Sequence, residues 1–125
     1  MEQWEFDFEW LQVRHLVRDS LGQKSLPNFN AILMLIGVQE LGRWQSKFSK
    51  EEKQDLMHIA VCRLLSYDGF YEFEGRDADG WPHWKQLKLF KLKGVKEQER
   101  FLKEKMIKYF KDWRAESVDS TTQSN

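Results

Sequence analysis

The chain has 125 residues, 41% apolar and 32% charged, with a formal net charge of zero. That suffices for one domain with a substantial core, and the neutral total argues against a dedicated nucleic-acid binder, whose phosphate affinity scales with the cations it presents. The single cysteine, Cys62, excludes an internal disulfide, and the longest apolar run, 31–38, is too short to cross a bilayer; a soluble cytoplasmic protein with no membrane partner is expected.

The first segment carries two patterns. Trp4, Phe6, Phe8 and Trp10 alternate with Glu5, Asp7 and Glu9, as in a strand. Phe6, Trp10, Val13 and Val17 keep helical spacing. A strand here could set Glu5, Asp7 and Glu9 near Glu72 and Glu74, and opposed like charges are unfavourable. A helix over Asp7–Leu21 is therefore expected, with Gly22 as the left-handed residue after it.

Pro27 disfavours a helical Leu26, and Asn28 suits the N-cap of a second helix over 29–41. That helix is apolar over much of its circumference, so it should be the most buried element. Gly37 inside it costs about 1 kcal/mol relative to Ala, which suggests close crossing by a neighbour. Ser49 and Glu52 form a capping box and open a third helix that runs to Leu65. Leu56, Ile59, Ala60 and Leu64 should face inward.

Next comes EFEGRDADGWPHWK, residues 72–85. Phe70, Tyr71 and Phe73 favour a strand, and Asp79-Gly80 is a hairpin turn signal. Pro82 cannot donate to a ladder, so the second arm should be short or at an edge. A small hairpin or flap over Phe70–Lys85 follows. Strand alternation makes Tyr71 and Phe73 the expected anchors. Trp81 and Trp84, three apart, cannot both follow that alternation to one side. One should pack inward while the other stays at least partly exposed.

A fourth helix is expected over Val95–Arg114, with Leu102, Met106, Tyr109 and Trp113 as its apolar stripe. The polar residues 115–125 read as a disordered C-terminal tail. The expectation is thus a mainly α, four-helix single domain over 1–114 with a β-hairpin between helices three and four.

Charge divides unevenly along this chain. Residues 1–84 hold nine Lys/Arg and fourteen Asp/Glu; residues 85–114 hold eleven and four. Such asymmetry marks either a surface for an acidic partner or two halves that attract each other.

Motifs for catalysis fall short. His58 and Cys62 share a helix face, but zinc needs three or four ligands. Asp55 and His58 give half of a di-iron pattern that must occur twice. Cys62 and His58 could form a nucleophile pair, yet a mid-helix thiol on an apolar face is usually inert core. Asp77, Asp79 and Gly80 fit the middle of a calcium loop, but its first and twelfth positions would be Gly75 and Gln86, neither a carboxylate. No catalytic residue, metal site or cofactor is assigned.

The runs FSKEEKQDLMHIAVC and YEFEGRDADGWPHW resemble a group of short, uncharacterised bacterial proteins, over most of residues 7–113. The resemblance implies a bacterial, cytoplasmic origin and brings no activity and no site residues with it.

The leading functional reading is a non-catalytic module that contacts an unidentified protein partner through Trp81, His83 and Trp84. A second is an accessory nucleic-acid-binding protein using the basic segment 85–114, with Lys85, Lys88, Lys91, Lys93 and Lys96. A third is an enzyme or ligand carrier with a pocket under the aromatic flap.

Overall fold

Four helices and one hairpin follow in the expected order: α1 (Gln3–Leu21), α2 (Phe29–Leu41), α3 (Lys50–Leu65), β1 (Tyr71–Arg76), β2 (Pro82–Gln86) and α4 (Val95–Gln123). A 3-10 turn, Ser66–Asp68, joins α3 to the hairpin. The computed structural model describes residues 1–92 and 94–123, with side chains up to Ala115.

The N-terminal alternation resolves as helix, and α1 begins at Gln3, four residues before the expected start at Asp7. Glu5 explains the earlier start. Its carboxylate accepts from the Glu2 backbone N–H at 3.3 Å, satisfying a donor outside the helix ladder. Gly22, with φ 65°, ends the helix as expected. The Asn28 side chain accepts from Ala31 N–H at 2.9 Å and opens α2. Ser49 and Glu52 exchange bonds of 3.1 and 2.9 Å, so the capping box opens α3 where the sequence placed it. At the other end of the chain, α4 runs past Arg114 to Gln123. Residues 115–123 contain no Gly or Pro to stop it. The last two residues of the expected disordered tail, 124 and 125, lie outside the described residues.

Helix α2 packs on α3, α3 on α4, and α4 on α1. The main core joins Phe6, Val13 and Val17 of α1 to Ile32 and Ile36 of α2, Ala60 and Leu64 of α3, and Met106 and Phe110 of α4. Gly37 marks the tightest contact. A Cβ built there would overlap the backbone carbonyl of Leu56, so the glycine lets α2 and α3 approach closely, as its cost within a helix implied.

Two described ion pairs join the basic segment to the acidic one. Lys105 meets Asp68 at 2.8 Å and Lys111 meets Glu9 at 2.7 Å. Arg100, Lys103 and Lys108 pair with Glu104, Glu99 and Asp112 along α4 itself. Arg100 also bonds Gln3 and lies 4.2 Å from the Phe6 ring centre, which ties α4 to α1. Across α2, α3 and α4, Glu40 accepts from the Tyr109 hydroxyl at 3.0 Å and pairs with Arg63 at 3.4 Å. Burial and the nearby Glu40 carboxylate push the Tyr109 phenol far above its usual pKa.

The hairpin is antiparallel, pairing Phe73 with Trp84 and Gly75 with His83, so Glu74 is an extra residue in the first strand. Gly75, with φ 113°, supplies the backbone shape that this bulge needs. Tyr71 packs against the main core and meets His58 edge-on, 6.3 Å between ring centres. Phe73, expected as a second anchor, is instead 49% exposed. Its ring meets Trp84 across the strands, 5.4 Å between centres, so the cross-strand neighbour rather than the helices covers it.

Candidate functional site

The turn 77–80 is organised by Asp77. Its carbonyl accepts from Gly80 N–H and its own N–H donates to Trp81, both at 3.0 Å. Its Oδ1 accepts from the N–H groups of Asp79 and Trp81 at 2.9 and 3.0 Å. Its Oδ2 lies 2.9 Å from His83 Nε2. The His83 contact first, then the backbone donors, hold the Asp77 carboxyl below its usual pKa. Aspartate suits this place because a short acceptor can bond its own backbone two residues on.

Two arginines fasten the turn to the end of α2. Arg76 donates to the carbonyls of Glu40, Leu41 and Gly80 at 2.7, 3.0 and 2.8 Å. Arg43 donates to the Asp79 carbonyl at 2.7 Å. The tip is thereby held over the first turns of α3, with Trp81 packed against the cluster of Leu41, Phe48 and Leu56.

Between α3 and the hairpin lies a cleft of about 460 Å³. Glu52, Asp55, His58 and Ile59 line it from the helix; Asp77, Trp81, Pro82, His83 and Trp84 line it from the hairpin. The candidate surface residues Trp81, His83 and Trp84 are therefore brought together, on one wall of a shared space. Both tryptophans are half-buried, and the Trp84 indole N–H is withdrawn from solvent with no acceptor among the described residues.

The carboxylates differ in their engagement. Glu52 is drawn down in pKa mainly by the Ser49 backbone N–H, with help from the Ser49 hydroxyl, Gln45 and Arg43. Asp77 is held by its turn. Asp55 is exposed and makes no ion pair with a described residue. The cleft thus offers a free carboxylate on one wall facing an aromatic wall on the other, an arrangement that suits a cation.

A groove of about 630 Å³ also runs between α1, the start of α2 and α4. Several of its polar side chains are already engaged: Arg14 bonds the Pro27 carbonyl at 2.9 Å, Gln98 bonds the Leu92 carbonyl at 3.0 Å, and Lys103 pairs with Glu99 at 3.6 Å. It presents less unspent chemistry than the cleft under the hairpin.

His58 and Cys62 do meet, with Nε2 3.5 Å from Sγ. The thiol is fully buried, and burial pushes its pKa up to about 11, so it remains protonated and a poor nucleophile near neutral pH. Among the described residues, no three His, Cys, Asp or Glu side chains are grouped to hold a metal ion. No described helix is long and apolar enough to cross a membrane.

The lysines of the nucleic-acid reading fall elsewhere. Lys85 lies in the second strand, next to its last residue, and Lys88 and Lys91 follow in the connection to α4. Lys88 lies 4.6 Å from the Phe70 ring centre. Lys96 is in the first turn of α4, and Lys93 lies outside the described residues. Lys85, Lys88, Lys91 and Lys96 make no ion pair with a described residue, unlike Arg100, Lys103, Lys105, Lys108 and Lys111 further along α4.

What sequence reasoning missed is the helical wall. Glu52, Asp55 and His58 recur every three residues, followed by Ile59, which places a polar row along α3. That spacing could have singled out the row; its facing Trp81 could not have been read from it. No family model, curated protein or solved structure matches this chain.

Proposed function

We propose that this protein is a small non-catalytic interaction module. Its contact site is the cleft between α3 and the hairpin, and the group it accepts is a basic side chain of a protein partner. The observation that carries the reading is the unpaired Asp55 facing a space walled by Trp81 and Trp84. A lysine or arginine entering there exchanges water for a carboxylate and two aromatic neighbours, and cation–aromatic contacts contribute about 0.5–2 kcal/mol each. Half-buried tryptophans fixed by a turn add contact area with little loss of side-chain freedom. A cytoplasmic, bacterial setting belongs to the same proposal. It is supported by a single cysteine that can form no internal disulfide and by the resemblance noted from the sequence.

The test is a panel of short peptides matched in length and differing in charge, followed by the indole N–H signals of the protein. Lysine- or arginine-bearing peptides should shift the Trp81 and Trp84 signals, and Asp55→Asn should abolish the shift without lowering thermal stability. Equal response to neutral or acidic peptides would refute the proposal, as would shifts confined to other tryptophans.

A second reading keeps one observation of its own: Lys85, Lys88, Lys91 and Lys96 are unmatched by described acids. It calls for an anionic partner such as nucleic acid. Its signature is an affinity that falls steeply with salt and is lost when these lysines become glutamine.

A further inference from the structure

Helix α1 has two apolar faces. Phe6, Val13 and Val17 are buried in the core. On the outer side, Trp4, Phe8 and Leu11 are 67%, 56% and 41% exposed, with Met1 also exposed one turn earlier. At about 100° per residue, Trp4, Phe8, Leu11 and His15 fall within an arc of about 60°. Their steps of four, three and four residues are those of a helix–helix seam. A row of large exposed side chains with this spacing marks a contact surface, and nothing among the described residues covers it.

The charges beside the row indicate what does. The first half of α1 and its cap carry Glu2, Glu5, Asp7 and Glu9; the second half carries Arg14 and Arg18 with Asp19. Glu9 is taken by Lys111 at 2.7 Å, and Asp7 accepts only from Gln3, at 2.9 Å. Arg18 meets Asp19 at 3.1 Å, and Arg14 gives its Nε to the Pro27 carbonyl at 2.9 Å, which leaves its terminal nitrogens without a described partner. An anionic lipid surface would be repelled by this acidic half. A second α1 running antiparallel sets acidic half against basic half and opposes the two helix dipoles. Placed with Phe8 against Leu11 of the second copy, it also brings Trp4 to His15 and Asp7 close to Arg14. Parallel pairing instead sets the two acidic halves side by side. The helix is thus complementary to itself in only one direction, as a twofold contact requires.

We propose that α1 is a homodimerisation helix that pairs antiparallel with α1 of a second copy, about a twofold axis near Phe8 and Leu11. The row spans few turns and is smaller than the ~800 Å² per partner of a standard interface. The dimer is therefore weak and depends on concentration. This surface lies on a different element from the hairpin cleft and does not rest on the cleft's assignment.

Sedimentation velocity of the full chain over a wide concentration range tests it. The 15.1 kDa chain should move from monomer mass to twice that mass as concentration rises. Phe8→Ser with Leu11→Ser should stay monomeric at every concentration, and the exposure of both residues means thermal melting should barely change. Asp7→Arg alone and Arg14→Asp alone should each self-associate less, while an equal mixture of the two should regain the dimer, because each interface then pairs opposite charges twice. A wild-type chain that stays monomeric at its highest concentration overturns the proposal. So does a dimer that survives Phe8→Ser with Leu11→Ser. A mixture that fails to restore pairing while each variant alone melts like the wild type overturns the antiparallel arrangement.

Discussion

Arg76 in the hairpin donates to the carbonyl of Leu41, 35 positions earlier in the chain, at 3.0 Å. It closes the C-terminus of α2, where the last carbonyls have no partner within the helix and a positive charge is favoured. The same guanidinium reaches Glu40 and Gly80, so one side chain caps a helix and clamps a turn. Arg76→Ala should lower stability by about 1 kcal/mol, the worth of a partly exposed charged bond. Arg76→Lys should recover only part, since an ammonium cannot reproduce the planar fork. Denaturant midpoints read both, and a neutral Arg76→Ala would show that the turn holds without its clamp.

Gly37→Ala separates local preference from packing. In an isolated helix alanine is favoured by about 1 kcal/mol. Here its Cβ would overlap the Leu56 carbonyl, so α2 and α3 must separate. A net loss of about 1–3 kcal/mol is expected in urea unfolding, the range for overpacked cores. A stabilised variant would mean that the crossing is looser than its geometry.

The two hairpin tryptophans should respond differently. Trp81 rests on Leu41, Phe48 and Leu56, so Trp81→Ala should cost about 2–3 kcal/mol, less than a fully buried ring. Trp84 has a withdrawn indole N–H with no described acceptor. Trp84→Phe removes that unsatisfied donor and should change stability by less than about 0.5 kcal/mol. Thermal melts of the pair, each compared with wild type, check the contrast.

Acid should loosen the turn. The folded Asp77 carboxyl sits below its usual pKa, chiefly through His83 and then the Trp81 and Asp79 backbone. A lowered folded pKa means that its stabilisation is complete above the unfolded carboxylate range and is lost as pH falls through the lowered value. Tryptophan fluorescence should therefore report a change at the acid end of that range, and Asp77→Asn should remove that step.

Cys62 should be silent in the folded protein. With its pKa pushed up to about 11, on the order of one thiol in ten thousand is ionised at pH 7. A thiol reagent should titrate nothing on the minutes timescale in buffer and one thiol in denaturant. Rapid native labelling would revive a reactive His58–Cys62 pair.

Several elements were legible because their signals are local. Asn28 and Ser49 mark helix starts through bonds that span three residues. Asp79-Gly80 marks a turn through the backbone freedom of a single glycine, at φ 85°. The cost of Gly37 within a helix implied a close neighbour, and Leu56 is that neighbour. The start of α1 was placed too late because the alternation in residues 4–10 serves two helix faces at once, and one of them is exposed.

The sequence by itself determined the order of four helices, the caps at Gly22, Asn28 and Ser49, and the position of the hairpin, since each depends on residues a few positions apart. Only the tertiary structure decided that Phe73 faces solvent, that Lys105 and Lys111 are matched by Asp68 and Glu9, and that Asp55 stands across a cleft from Trp81. Those relations join parts of the chain that packing brings together, and no local spacing encodes which side chains will meet once α2, α3 and the hairpin have closed on one another.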